Sequence, residues 1–221
     1  MKIIELKETV TASNDRDADA LRAEMKAKGT LLINLMSSPG AGKTTLLEHT
    51  IADLRDSYTI AVLEADVDSA VDAERIEKLG VKALQVHTGG MCHMDAGMTR
   101  EGLEEMGCDG IDLVFLENVG NLICPAEFDT GAGKKVMILS TPEGDDKPLK
   151  YPLMFRESDV LIISKSDVAR FFDFDYDKCI ERAKKLNPDI KIFRLSSKTG
   201  EGFEEWEEWL TNAVNEWKGN K

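Results

Sequence analysis

An α/β fold, a mostly parallel sheet with helices on both faces, follows from three features of the 221-residue sequence. Short apolar runs recur at Leu31–Met36, Thr59–Leu63, Val81–Val86, Ile111–Leu116, Lys135–Ser140, Asp159–Ser164 and Ile190–Leu195. They alternate with helical stretches, a pattern that specifies parallel strands joined by crossovers. The first run leads into Ser37-Ser38-Pro39-Gly40-Ala41-Gly42-Lys43-Thr44, then Thr45 and an amphipathic stretch to Asp56; this is the strand-loop-helix setting of a phosphate-binding P-loop. The fold class expected is therefore that of a P-loop NTPase. No linker, repeat or low-complexity stretch interrupts the chain, so residues 1–221 are expected to form a single domain with a short N-terminal helical extension.

The elements are justified in turn. Asn14 or Asp15 is placed to cap a helix running to about Lys28, with Ala18, Leu21 and Met25 as a modest apolar stripe ahead of Gly29. That stripe fits either the outside of the sheet or a partner subunit. After the P-loop, Leu47, Ile51 and Leu54 make one helical face, and the second strand ends at Glu64-Ala65-Asp66. A helix over Ala70–Leu79 closes at Gly80, and the next strand runs into His87-Thr88-Gly89-Gly90. The last helix, roughly Gly202–Trp217, spaces Phe203, Trp206, Leu210, Val214 and Trp217 by three and four, which reads as core packing.

Composition excludes several function classes. The formal charge is -13, with acidic residues spread through the chain and gathered in the last helix, so nucleic acid is not expected as a partner. Met1-Lys2-Ile3-Ile4-Glu5 lacks the apolar core of a signal peptide, and no apolar run approaches the roughly 20 residues of a membrane span. A cytoplasmic protein without a membrane partner is expected. In that reducing setting Cys92, Cys108, Cys124 and Cys179 read as buried hydrophobes or as ligands.

Three groups of residues carry chemistry. In the P-loop, from Pro39 through Ala41 to Thr45, Gly40 and Gly42 let backbone N–H groups converge on phosphate, Lys43 reaches the β/γ-phosphates, and Thr44 offers its hydroxyl to Mg²⁺. Ser37 stands where the P-loop pattern has its first Gly. Glu117-Asn118-Val119-Gly120 ends the most apolar strand, and there an acidic residue holds Mg²⁺ while the Gly120 N–H meets the γ-phosphate. Asp66, ending another strand, is the second acidic candidate, so Lys43, Asp66 and Glu117 are the expected catalytic set and Thr44, Asp66 and Glu117 the magnesium set. Base choice is read from Ser164-Lys165-Ser166-Asp167, which resembles NKxD with Ser for Asn, and from Ser196-Ser197-Lys198-Thr199-Gly200, which resembles the second guanine loop. A carboxylate at Asp167 accepts from the N1 and N2 hydrogens of guanine, a pair adenine does not present, so GTP is favoured.

The third group is Cys92-His93 with Cys124, in loops after two strands that a parallel sheet brings to one edge. Two thiolates and an imidazole suit Zn²⁺ or Ni²⁺. Three ligands leave the set open, so it is a transfer site, a site completed by a second subunit, or no site, with His93 opening the following helix instead. His49 and His87 read as structural, and Lys147 or Lys150, in a Pro-punctuated loop after a strand, could meet phosphate charge in a dimer.

Together, SSPGAGKTT, HTGGMCHMDAGM, FLENVGNLICPAEFD and EGDDKPLKYPLMF resemble the HypB family of hydrogenase-maturation GTPases over nearly the whole chain. The resemblance implies a SIMIBI-like GTPase that forms a homodimer and assists nickel insertion into [NiFe]-hydrogenase, with HypA and the hydrogenase large subunit as partners. It puts nickel or zinc on Cys92, His93 and Cys124 near the subunit interface and guanine on Lys165 and Asp167, with Ser196 alongside. The CxxCGC motif and the His-rich tract that some members carry are not in this sequence. With Val119 and Asn121 beside Gly120, and no Gln to orient water, turnover should be slow. Alternatives weighed against this reading are a urease-accessory-type GTPase, a MinD-like ATPase, and a metal scaffold that binds nucleotide with little turnover.

Overall fold

The structure is a computed structural model that describes residues 6–66 and 75–219. Seven strands, β1 (Leu31–Ser37), β2 (Ile60–Asp66), β3 (Lys82–His87), β4 (Leu113–Glu117), β5 (Lys134–Ser140), β6 (Val160–Ser164) and β7 (Lys191–Arg194), form one sheet in the order β3-β2-β4-β1-β5-β6-β7. Every pairing is parallel, so the sheet is wholly rather than mostly parallel. The apolar runs are continuous because both faces of the five inner strands are covered. The edge strands β3 and β7 are only half-buried.

Alternation sends side chains to two different cores. Ile33, Leu35, Val62, Phe115 and Ile138 pack on one face under α2 (Lys43–Leu54) and the last helix, Phe203–Lys218. Leu32, Leu63, Val114 and Leu116 pack on the other face with Leu21 and Met25 of α1 (Leu6–Lys28), while Met137, Leu139 and Ile163 pack there with Cys179 and Ala183 of the helix Tyr176–Leu186. The last helix is fixed at both ends by its tryptophans: Trp206 Nε1 donates to Thr50 Oγ1 at 3.0 Å, and Trp217 Nε1 donates to Thr30 O at 2.8 Å. The aromatic stripe is core, as its spacing implies.

Two expectations change at α1. The helix begins well before Asn14, so neither Asn14 nor Asp15 caps it. Asn14 is buried and spends its amide on tertiary hydrogen bonds instead of on the backbone N–H groups that a cap would satisfy. The stripe of Ala18, Leu21 and Met25 is also fully used within this chain, against the sheet and the helix Ala96–Met106. Of the helix expected over residues 70–79, positions 70–74 lie outside the described residues; residues 75–77 are helical and Gly80 closes them at φ +79°.

Gly202, which begins the last helix, has φ +80°, and a Cβ there would lie 2.0 Å from Arg194 O. Gly202→Ala therefore combines left-handed strain with a backbone clash, together about 2–5 kcal/mol. The expected drop in Tm is roughly 4–20 °C, and a parent-like melting curve would show that the loop before the helix is slack.

Candidate functional site

The order of strands places the carboxyl ends of β2, β4 and β1 side by side, at the point where connections turn from one half of the sheet to the other. The P-loop sits there, with Gly40 and Gly42 at φ +73° and +104° and α2 starting at Lys43. It opens on a cavity of about 600 Å³ lined by Pro39, Gly40, Gly42 to Thr45, Glu64 to Asp66, Arg75, Glu117 to Gly120 and Lys165. Lys43 Nζ lies 3.1 Å from Ser37 Oγ across the loop, so Ser in the first-Gly position gives the lysine a partner rather than removing the turn. Gly120 backs directly on the P-loop: a Cβ there would come within 3.0 Å of Pro39.

Thr44 Oγ1 donates to Glu117 Oε1 at 2.8 Å. Glu64 pairs in register with Glu117 across β2 and β4, and both are buried. Glu64, Asp66 and Glu117 have the same alternation as the residues packed under α2, so their carboxylates share the P-loop face. A hydroxyl with carboxylate oxygens is a hard donor set, suited to Mg²⁺ and ill suited to a soft cation. The sequence marks Glu64 only as a charge at the end of an apolar strand, which does not single it out as a ligand.

The two guanine-like motifs meet at the ends of β6 and β7. Lys165, in the left-handed region at φ +60°, donates to Gly40 O at 2.7 Å, and Ser164 Oγ donates to Ala41 O at 2.8 Å. Ser164, at the Asn position of NKxD, is thus tied to the P-loop through its hydroxyl. Ser196 Oγ donates to Asp167 Oδ1 at 2.7 Å and accepts from the N–H groups of Lys198 and Thr199 at 3.2 and 3.3 Å. The two guanine-like motifs, separate in sequence, are one structure. Lys147 lies 4.0 Å from Glu143 and over the Tyr151 ring, while Lys150 pairs with Asp146 at 2.6 Å; neither lines the nucleotide cavity.

At the same edge of the sheet, one ligand atom from each of Cys92, His93 and Cys124 lies within 4.8 Å of the others. The sulfurs of Cys92 and Cys124 are 2.8 Å apart, and Cys92 Sγ is 3.8 Å from His93 Nδ1. The hydrogen bond from Cys92, burial and the Cys92 charge push the Cys124 thiol up, a repulsion that a divalent cation between the sulfurs would remove. Burial holds His93 below the usual imidazole range against the pull of Asp95 and Glu127, which favours the neutral, ligand-competent ring. The ring stacks on Phe128 with centroids 4.0 Å apart, and the helix that follows is capped by Asp95, not by His93. Exposed Met91 and Ile123 flank the two cysteines. The His49 ring packs against Phe203 with centroids 4.4 Å apart and a tilt of 36°, consistent with a structural role.

One segment, 117–124, runs from the P-loop contact to Cys124. Within it Asn118, fully buried, accepts from Met94 N at 3.1 Å and donates to Asn34 Oδ1 at 3.1 Å. Asn121 accepts from Ile123 N at 2.8 Å. Asn118 therefore ties the phosphate-side loop to the residue after His93, a link invisible in sequence because it joins two loops 24 residues apart.

The profile described as CobW/HypB/UreG, nucleotide-binding domain, matches residues 31–194. A hydrogenase maturation factor HypB from Azotobacter chroococcum mcd 1 is 47% identical over 210 residues, covering 95% of this chain and 68% of that protein. The crystal structure of HypB from Helicobacter pylori in complex with nickel matches with a TM-score of 0.86 at 40% identity, over 92% of this chain and 96% of that one. The signal recognition particle receptor FtsY from Elizabethkingia anophelis, at 13% identity, gives a TM-score of 0.57 over 91% of this chain and 72% of its own. That last likeness bears on the fold alone.

Proposed function

The chain belongs to the HypB hydrogenase maturation factors of the CobW/HypB/UreG family, and from that premise we propose that it is a GTP-hydrolysing nickel metallochaperone. The whole chain works as one G domain, a homodimer when GTP is bound, receiving nickel from a HypA partner and passing it to the hydrogenase large subunit in the cytoplasm. One observation carries the reading: residues 117–124 join the P-loop cavity to the Cys92-His93-Cys124 cluster, with Asn118 bonded to the loop that holds His93.

In this mechanism the N–H groups from Gly40 to Thr45 and the Lys43 ammonium bind the phosphates, and Gly120 presents its N–H to the γ-phosphate. Thr44, Glu117 and Asp66, with Glu64 beside them, would hold Mg²⁺, which would supply positive charge against that developing on the phosphate oxygens. Asp167, oriented by Ser196, reads guanine, and Lys165 flanks the base. Val119 and Asn121 flank Gly120 in place of a Gln that would orient the attacking water, so hydrolysis is slow and serves as a timer. Cys92, His93 and Cys124 take Ni²⁺ or Zn²⁺ as cargo, and the open fourth position allows transfer. When Gly120 changes its contacts on hydrolysis, the following residues move Cys124.

The test is a titration with Ni²⁺ or Zn²⁺ in the GTP-analogue and GDP states, with dimer fraction followed in parallel and phosphate release measured with GTP and ATP. Linkage requires metal and nucleotide to affect one another equally. Cys92→Ala and Cys124→Ala should each weaken metal binding while leaving GTP binding unchanged. Parent-like metal binding in both variants would remove the site; equal metal affinity in the two nucleotide states would remove the coupling and leave the site.

A further inference from the structure

We propose that Asn14 is a positioning residue for the Cys92-His93-Cys124 cluster, its single side-chain amide holding the two ligand-bearing loops at a fixed separation. This rests on the metal-binding reading above. Asn14 lies on α1, outside the matched segment 31–194. Its Oδ1 accepts from Ala96 N at 2.9 Å, three residues after His93, and its Nδ2 donates to Asp129 O at 2.9 Å, five residues after Cys124. The amide orientation is dictated by its partners, since a backbone N–H only donates and a carbonyl only accepts.

The placement is costly for α1 taken alone, because Asn is a poor residue in a helix interior and a buried amide needs both its partners. It becomes intelligible as a tie between loops. Ala96 begins the helix Ala96–Met106, so its N–H has no acceptor within that helix, and the residue is buried. On the acceptor side, Arg22 of α1 donates from Nε to Ala132 O at 2.9 Å and pairs with Asp129 at 2.6 Å, keeping that loop against α1. Closer to the cluster, the His93 ring stacks on Phe128 and joins the same two loops a second time. The amide and the stack together leave the loops little freedom to part. Without the amide, a buried donor and acceptor are orphaned and separation of the loops relieves them. Metal–ligand distances tolerate only about 0.2 Å, so even a small separation of Cys124 from Cys92 and His93 lowers affinity.

The full chain is titrated with Zn²⁺ against a chromophoric chelator, and Co²⁺ is added separately to record thiolate charge-transfer and d–d bands. GTP-analogue affinity serves as the control for an intact G domain. Asn14→Ala should weaken Zn²⁺ by at least about 10-fold, the range found when groups supporting metal ligands are lost, and should alter the Co²⁺ spectrum with nucleotide affinity unchanged. Where Asn14→Ala fails the nucleotide control, Asn14→Asp decides: it keeps the size and the acceptor for Ala96 N but loses the donor for Asp129 O, and is expected to bind Zn²⁺ more weakly than the parent. Parent-like Zn²⁺ affinity and Co²⁺ bands in the Asn14 variant, with Cys92→Ala and Cys124→Ala defective, overturn the proposal and leave the metal site. Parent-like binding in the cysteine variants themselves overturns the metal site, and this proposal with it.

Discussion

Lys43→Ala is expected to lower kcat/KM for GTP by at least about 10²-fold and to leave the fold intact. The loss follows from removing one preorganised cation aimed at charge that grows on the phosphates, a change worth about 10²–10³ for a single donor in a comparable setting. The fold should survive because Lys43 opens α2 at its first turn, where, among the described residues, its ammonium donates only to Ser37 Oγ at 3.1 Å, and Ala is the better helix former. Ser37 keeps a partner of its own, donating to Ser38 O at 2.7 Å. Phosphate release and circular dichroism of the same sample provide the measurement. A variant with unaltered spectrum and unaltered turnover would mean that Lys43 does not face the phosphates and that the loop has been misassigned.

How much could be read in advance differs between backbone and side chains for a physical reason. Strands such as β1 and β4, buried on both faces, appear as mainly apolar runs, and the P-loop appears as a fixed spacing of Gly and Lys; both signals are local. The pairing of strands is not local, so it took the structure to set Glu64 against Glu117 and make the carboxylate that follows an apolar run part of the P-loop cavity. Asn14 is the clearest case of a local rule overridden. An Asn-Asp pair ahead of an apolar stripe reads as a helix start, yet its amide satisfies backbone groups 82 and 115 residues away, and α1 runs straight through it. Ser164 shows the reverse: the departure from NKxD was visible, while its effect depended on whether Oγ could reach Ala41 O, which it does at 2.8 Å.

Asp167→Asn is expected to convert the protein from a GTP-selective to a xanthosine-triphosphate-selective one, with GTP weakened by roughly 10²–10⁴-fold. Guanine offers two donors, N1–H and N2–H, to the carboxylate, and each hydrogen bond to a charged group contributes about 1.5–3 kcal/mol; the sum of about 3–6 kcal/mol gives that range. The substitution is nearly isosteric, and its orientation is constrained. Ser196 Oγ donates to Asp167 Oδ1 at 2.7 Å while accepting from the N–H groups of Lys198 and Thr199, so the hydroxyl proton is committed to position 167. In the variant the amide oxygen must therefore stay on Ser196, which turns the new N–H₂ toward the base. There it repels the guanine N2 donor and matches the carbonyl that xanthine has in its place. The rest of the pocket should be unaffected, because Lys165 remains on Gly40 O and Ser164 on Ala41 O. Competition binding of GTP, xanthosine triphosphate and ATP to parent and variant gives the result. Equal binding of ATP and GTP by the parent, or a retained GTP preference in the variant, would show that Asp167 does not read the base.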